Sequence, residues 1–161
     1  MVFAAGARVA EAQGGATASA GAIRYHMQGV EGTTWALAAR FELPVRQYVI
    51  IEPSFTYFRW QPLAGSKVSY VIPELTFEVQ GYLGRVHPYL GSGIGWASPT
   101  RGIPGVTQNY FSVHAAGGFR YYLSRRFGIR GEFRLRSIDP WHGYTADLTL
   151  GVIQVSGGRG M

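Results

Sequence analysis

At 161 residues, with 23 glycines, no cysteine and a net charge of +6, the chain is one domain's worth of protein and long enough for a closed barrel. Lacking cysteine, it excludes a disulfide scaffold and cysteine-ligated metal or haem-thiolate sites. Charged residues are only 15%, Lys67 is the sole lysine beside fourteen arginines, and no apolar run approaches the ~20 residues of a membrane helix.

Residues 1–17 read either as a leader remnant or loose arm, with Ala10-Glu11-Ala12 resembling a small-x-small cleavage site, or as part of a first strand. Eight strands follow over residues 18–155. The first, 18–27, places Arg24 and His26 on a polar face against Ile23 and Tyr25. The second, 33–43, sets Trp35, Leu37, Ala39 and Phe41 against Arg40 and Glu42, and ends in the tight turn 44–47. The third, 48–60, sets Glu52, Ser54 and Thr56 against Ile51, Phe55 and Tyr57, with Pro53 marking a bulge.

A Pro/Gly/Ser loop, 61–67, leads to the fourth strand, 68–83, whose core alternates Glu74, Thr76, Glu78 and Gln80 with Leu75, Phe77 and Val79. The tight turn 84–87 precedes the fifth strand, 88–97, with Gly91, Gly93 and Gly95 on one face. The longest loop, 98–109, leads to the sixth, 110–123, where Ser112, His114, Ala116, Gly118 and Arg120 share a face. The third tight turn, 124–127, leads to the seventh, 128–138, with Arg130, Glu132, Arg134 and Arg136 on one side. The loop 139–143 and the last strand, 144–155, with Asp147 and Thr149 inward, complete the domain before a glycine-rich tail, 156–161.

The fourth and seventh strands show the pattern most clearly, with one charged and one apolar face. A soluble two-layer fold hides the apolar face against a second layer, whereas a membrane barrel shows it to lipid and keeps the charges inside. The second arrangement places six acids in the lumen (Glu42, Glu52, Glu74, Glu78, Glu132 and Asp147) with six arginines (Arg24, Arg40, Arg120, Arg130, Arg134 and Arg136). A narrow eight-stranded barrel is filled by side chains, and unpaired charges there cost several kcal/mol each, so near-neutral pairing is what such a lumen requires. The glycines at 91, 93 and 95 leave inward room for long arginines.

Aromatics gather near strand ends. Trp35, Phe58, Trp60, Tyr70, Trp96, Tyr110, Trp141 and Tyr144 fall on the long-loop side, and Phe41, Tyr48, Tyr82, Tyr89, Tyr121, Tyr122 and Phe127 near the tight turns. Two aromatic girdles flanking an apolar band are expected of a membrane barrel. The fold class is therefore all-β: an eight-stranded antiparallel up-and-down transmembrane β-barrel.

Several stretches carry a resemblance: 38–44 with 51–57, His87-Pro88-Tyr89-Leu90-Gly91-Ser92-Gly93-Ile94-Gly95, Gly117-Gly118-Phe119-Arg120-Tyr121-Tyr122-Leu123, and Phe127-Gly128-Ile129-Arg130-Gly131-Glu132-Phe133-Arg134. With them the chain resembles the small eight-stranded outer-membrane barrels of Gram-negative bacteria, the OmpA-like and opacity-protein-like domains. The resemblance implies the outer membrane as location and carries fold better than activity. The chain departs from the class at its end, where Gln154-Val155-Ser156 and the glycine tail replace a terminal aromatic.

Candidate chemistry is sparse. Ser112 and His114 form a nucleophile–base pair in one reading and a polar lumen pair in the other; the inward face favours the second. His26, His87 and His142 lack metal-ligand spacing, and Gly91-Ser92-Gly93-Ile94-Gly95 lacks the helix of a phosphate loop. Glu74 and Glu78 lie roughly 13 Å apart along a strand, too far for a glycosidase pair. Trp141-His142 is an aromatic anchor or a contact to a partner or lipid headgroup.

No metal or cofactor is expected. The expected partner is the lipid bilayer of the outer membrane, with a surface partner reached through loops 61–67, 98–109 and 139–143, no nucleic acid, and a monomer favoured. The expected role is non-enzymatic, structural or adhesive. Kept beside it are a soluble lipocalin-like binding barrel, a lipid-modifying barrel enzyme and a narrow pore.

Overall fold

The computed structural model describes residues 14–27, 29–60, 68–101, 109–139 and 143–156, apart from the side chains of Trp60 and Arg101. Eight antiparallel strands run in chain order: β1 Gly15–Met27, β2 Val30–Arg46, β3 Val49–Trp60, β4 Val68–Gln80, β5 Val86–Arg101, β6 Tyr110–Tyr122, β7 Phe127–Ile138 and β8 Gly143–Val155. Each pairs with its neighbour, and β1 pairs with β8 from Gly15↔Val155 to Met27↔Gly143, closing the barrel. Closure removes the unpaired sheet edges that lipid cannot satisfy.

β1 starts at Gly15, so 15–17 belong to the barrel; 1–13 of the expected arm and 157–161 of the expected tail lie outside the described residues. Pro53 keeps the register of both its neighbours, so the bulge expected there is absent. The irregularities fall instead between Pro44 and Arg46 and between Ser69 and Tyr70. The β4–β5 turn is made at Gly84, whose φ of 65° lies in the left-handed region that favours glycine.

The wall has two zones. Through the middle, the outer face is apolar and the inner face polar; at the tight-turn end the outer face stays apolar, and Ile50, Ile153 and Val155 point inward beside the polar groups. On β2 the outward residues are Trp35, Leu37, Ala39, Phe41 and Leu43, all but Ala39 large exposed hydrophobics. That run covers roughly 26 Å of strand at ~3.3 Å per residue. Barrel tilt brings it to about 20 Å along the axis, close to the ~25 Å apolar band of membrane barrels.

Toward the loop end the pattern inverts. Ile23, Tyr25, Met27, Ala36, Phe58, Val68, Tyr70, Ile72, Ala97 and Ile138 point inward and form an apolar plug, with Val30 and Tyr110 packed against it. The outer wall at that height carries Arg24, His26, Glu31, Thr33 and Arg59. There β1, β2 and β3 stand as a soluble barrel would, greasy inside and polar outside, while β5, β6 and β8 still turn Trp96, Phe111 and Tyr144 outward.

Candidate functional site: the filled lumen and its two rims

Period-two alternation turns one face of every strand into the lumen. β7 supplies Arg130, Glu132, Arg134 and Arg136, and β3 and β4, across the barrel, supply Glu52, Glu74 and Glu78. Arg40 and Glu42 come from β2, Arg120 from β6 and Asp147 from β8, and all of these side chains are buried.

Nearest the turn end, Arg120 donates through Nε to Glu42 at 2.8 Å and through Nη2 to Glu78. Arg130 sits at the centre. It donates to Glu42 at 3.2 Å, Glu78 at 3.0 Å, Glu132 at 2.5 Å and, at both terminal nitrogens, to Glu52. Arg40 reaches Glu132 at 2.7 Å and the Ser19 hydroxyl. Arg134 spans upward to Glu132 at 3.0 Å, Glu52 at 3.2 Å and Glu74 at 2.9 Å. At the top Arg136 holds Glu74 bidentately at 2.7 and 2.9 Å and also reaches Asp147. Shared charge-assisted bonds of this kind compensate the desolvation that an isolated buried charge would suffer.

Eleven of the twelve expected lumen charges are therefore in place. Arg24 is not. It lies on the outer wall with 68% of its side chain exposed, 3.6 Å from Glu31. Parity is the reason: Thr17 and Ser19 face inward, no bulge intervenes, and Ile23, Tyr25 and Met27 must follow them in. The sixth basic group in the lumen is His114, whose Nδ1 lies 3.1 Å from Glu74 and whose Nε2 lies 2.9 Å from the Thr76 hydroxyl.

Tyr89 is a second departure. Expected near the turn-end girdle, it is buried in the lumen, and its ring lies between the guanidiniums of Arg120 and Arg130, at 4.1 and 4.7 Å. Its hydroxyl donates to Glu132 at 2.8 Å and accepts from Arg130 Nε at 2.8 Å. Its place was legible, because it shares parity with Gly91, Gly93 and Gly95. Those glycines make room chiefly for Glu78, His114 and Glu74 rather than for arginines; a Cβ at Gly93 would meet His114 at 2.7 Å and the Leu75 carbonyl oxygen at 2.1 Å.

The expected girdle residues divide between the outer wall, the plug and the rim. Trp35, Trp96, Tyr144 and Tyr48 are exposed on the outer wall, and Tyr121 is half-buried on it. Phe58 and Tyr70 are inside the plug, stacked at 5.7 Å, and Tyr110 packs against that plug. Tyr82 sits half-buried at the turn-end rim, edge-on to His87 at 4.6 Å, and donates to the Gln47 carbonyl. Trp141 and His142, and loop residues 61–67 and 102–108, lie outside the described residues, as does the side chain of Trp60.

Ser112 makes no hydrogen bond to His114, and both are buried in the lumen, away from lipid. Glu52, Glu78 and Glu132 bring carboxylate oxygens within 4.8 Å of one another, a spacing that would suit a cation. Arg130 already donates to all three, so a guanidinium occupies the position a metal would take. Outside, the hydrogen bond from His26 at 2.7 Å holds the Glu31 carboxyl below its ordinary value, and the His26 ring stacks on Tyr144 at 5.2 Å.

No protein-family model matches the chain, and no curated protein is similar to it in sequence. Solved structures are similar in fold. Neisserial surface protein A superposes with a TM-score of 0.74 at 12% identity, over 88% of this chain and 96% of that one. Ail, the attachment invasion locus protein of Yersinia pestis, gives 0.59 at 12% identity over 89% and 98%. The outer membrane enzyme PagL gives 0.59 at 15% identity over 87% and 99%.

This is a transmembrane β-barrel of the outer-membrane type. Its apolar outer band and charged lumen are stable together only with lipid on the outside. The soluble lipocalin-like alternative required an apolar lumen and a polar exterior along the whole strand; only the loop end has them.

Proposed function

We propose that the protein is a non-catalytic barrel of the bacterial outer membrane that serves as a rigid platform for contacts made at its loop end. The observation that carries this reading is the filled lumen. An apolar plug closes the loop end and a continuous arginine–carboxylate network occupies the middle, so the described residues leave neither a solute path nor a substrate pocket inside. Surface contact suits such a body, and the solved barrels similar to it in fold include Ail, the attachment invasion locus protein of Yersinia pestis. PagL, an enzyme on a similar fold, shows that fold alone does not decide the matter.

The test has two arms. Refolded protein in planar bilayers is expected to give no steady conductance, and shortening residues 61–67 and 102–108 is expected to abolish surface binding of barrel-bearing cells while leaving the barrel folded. A steady conductance, or lipid hydrolysis abolished by Ser112→Ala, would overturn the reading.

A further inference from the structure

We infer that the turn end of the barrel is a docking rim for anionic phospholipid headgroups, built from Arg46, Arg85, Arg125 and Arg126. The inference rests on the membrane reading above and goes beyond it.

All four side chains are exposed on the three tight turns, and among the described residues none makes an ion pair. The two described carboxylates outside the lumen, Glu31 and Asp139, both stand at the opposite, loop end. The acids nearest the turn end, Glu42 and Glu78, are already held by Arg120 and Arg130. The turn end is thus a ring of guanidiniums with no described carboxylate of its own to bind.

Position supplies the second argument. Each arginine is flanked by exposed apolar side chains: Val45 and Tyr48 beside Arg46, Leu83 and Val86 beside Arg85, Leu123 and Phe127 beside Arg125 and Arg126. Leu83 is 70% exposed, which is costly in water but suits the boundary between acyl chains and headgroups. Apolar anchors fix the depth of the turns, and guanidiniums at that depth meet phosphodiesters, which their planar fork matches bidentately.

The turns are also shaped for display. The Ser124 hydroxyl accepts from the backbone N–H of Arg126 at 3.2 Å and of Phe127 at 3.1 Å. Gly84 turns the chain immediately before Arg85. At the loop end, by contrast, the two exposed arginines whose side chains are described are engaged: Arg24 with Glu31, and Arg59 with the Tyr57 hydroxyl at 3.3 Å and over the Trp35 ring at 5.6 Å.

The experiment is electron paramagnetic resonance on the full chain in phosphatidylcholine vesicles, with trace spin-labelled phosphatidylglycerol or phosphatidylcholine. The fraction of label immobilised at the protein wall gives the relative association of the two lipids. A basic residue at an anionic surface contributes about fivefold at most, so a severalfold preference for phosphatidylglycerol, erased by high salt, is expected.

R46Q/R85Q/R125Q/R126Q should return the ratio to parity, R125Q/R126Q alone should lose about half of the preference, and R24Q/R59Q should keep it. A wild-type ratio at parity, a preference that survives the fourfold variant, or one lost in R24Q/R59Q would overturn the inference. If neither label is immobilised, the chain is not in the bilayer and the membrane reading fails with it.

Discussion

Arg130→Met tests whether the lumen network holds the barrel together. Arg130 donates to Glu42, Glu52, Glu78 and Glu132, and its loss strips a partner from each. No carboxylate is fully orphaned. Glu42 keeps Arg120 at 2.8 Å, Glu78 keeps Arg120, Glu132 keeps Arg40 at 2.7 Å and Arg134 at 3.0 Å, and Glu52 keeps Arg134 at 3.2 Å. The buried count nevertheless falls from five guanidiniums against six carboxylates to four against six, in a lumen that water does not reach.

Removing one partner of a buried ion pair costs about 3 to 5 kcal/mol, and that range is expected here. The same treatment of the exposed pair, Arg24→Gln, is expected to cost under about 1 kcal/mol. The assay is urea unfolding in lipid vesicles, followed by the fluorescence of the four tryptophans. Adding Glu52→Gln to Arg130→Met removes the carboxylate Arg130 holds at both terminal nitrogens. The double variant should recover part of the loss, with a coupling of about 1 to 3 kcal/mol. A cost for Arg130→Met no larger than that for Arg24→Gln, or a double variant as unstable as the two losses summed, would refute the idea that the network is electrostatically knit.

Three further outcomes follow from particular contacts. Phe58→Ala empties the centre of the plug and should cost about 3 to 5 kcal/mol in the same unfolding assay. Gly93→Ala would set a Cβ 2.1 Å from the Leu75 carbonyl, backbone that cannot swing away, and should destabilise by about 1 to 3 kcal/mol. Outside the membrane belt, an NMR titration should find the Glu31 carboxyl depressed by its His26 hydrogen bond in the parent, and protonating at higher pH in His26→Ala than in the parent. Since that carboxyl is depressed in the folded state, its small contribution to stability is present above 4.5 and fades as pH falls through the lowered value; stability rising with acid over that window would contradict the pairing.

Much of the lumen was legible because alternation is a strict rule once a strand has no bulge. Glu74, Thr76, Glu78 and Gln80 on β4, and Arg130 to Arg136 on β7, fell on the lumen face together. The misses at the loop end share one cause. Reading every strand as apolar-out assumes lipid along its whole length, and the loop ends of β1, β3 and β4 project past the belt. Where the outside is water, the favourable arrangement reverses, so Ile23, Tyr25, Phe58 and Tyr70 turn in while Arg24 and Arg59 turn out.

Hydrophobicity alone could not locate that crossover, but parity could. On β1 the residues Ala16, Ala18, Ala20 and Ala22 point out, and Arg24 and His26 follow them by count. The polar ladder and the apolar plug are therefore one continuous inner face, and the change in its chemistry marks where the bilayer stops. By that criterion the belt ends on β2 near Trp35, below Thr33 and Glu31. A spin label at residue 33 is expected to report water and one at residue 37 hydrocarbon; hydrocarbon at both would place the plug inside the membrane and remove the reason for the inversion.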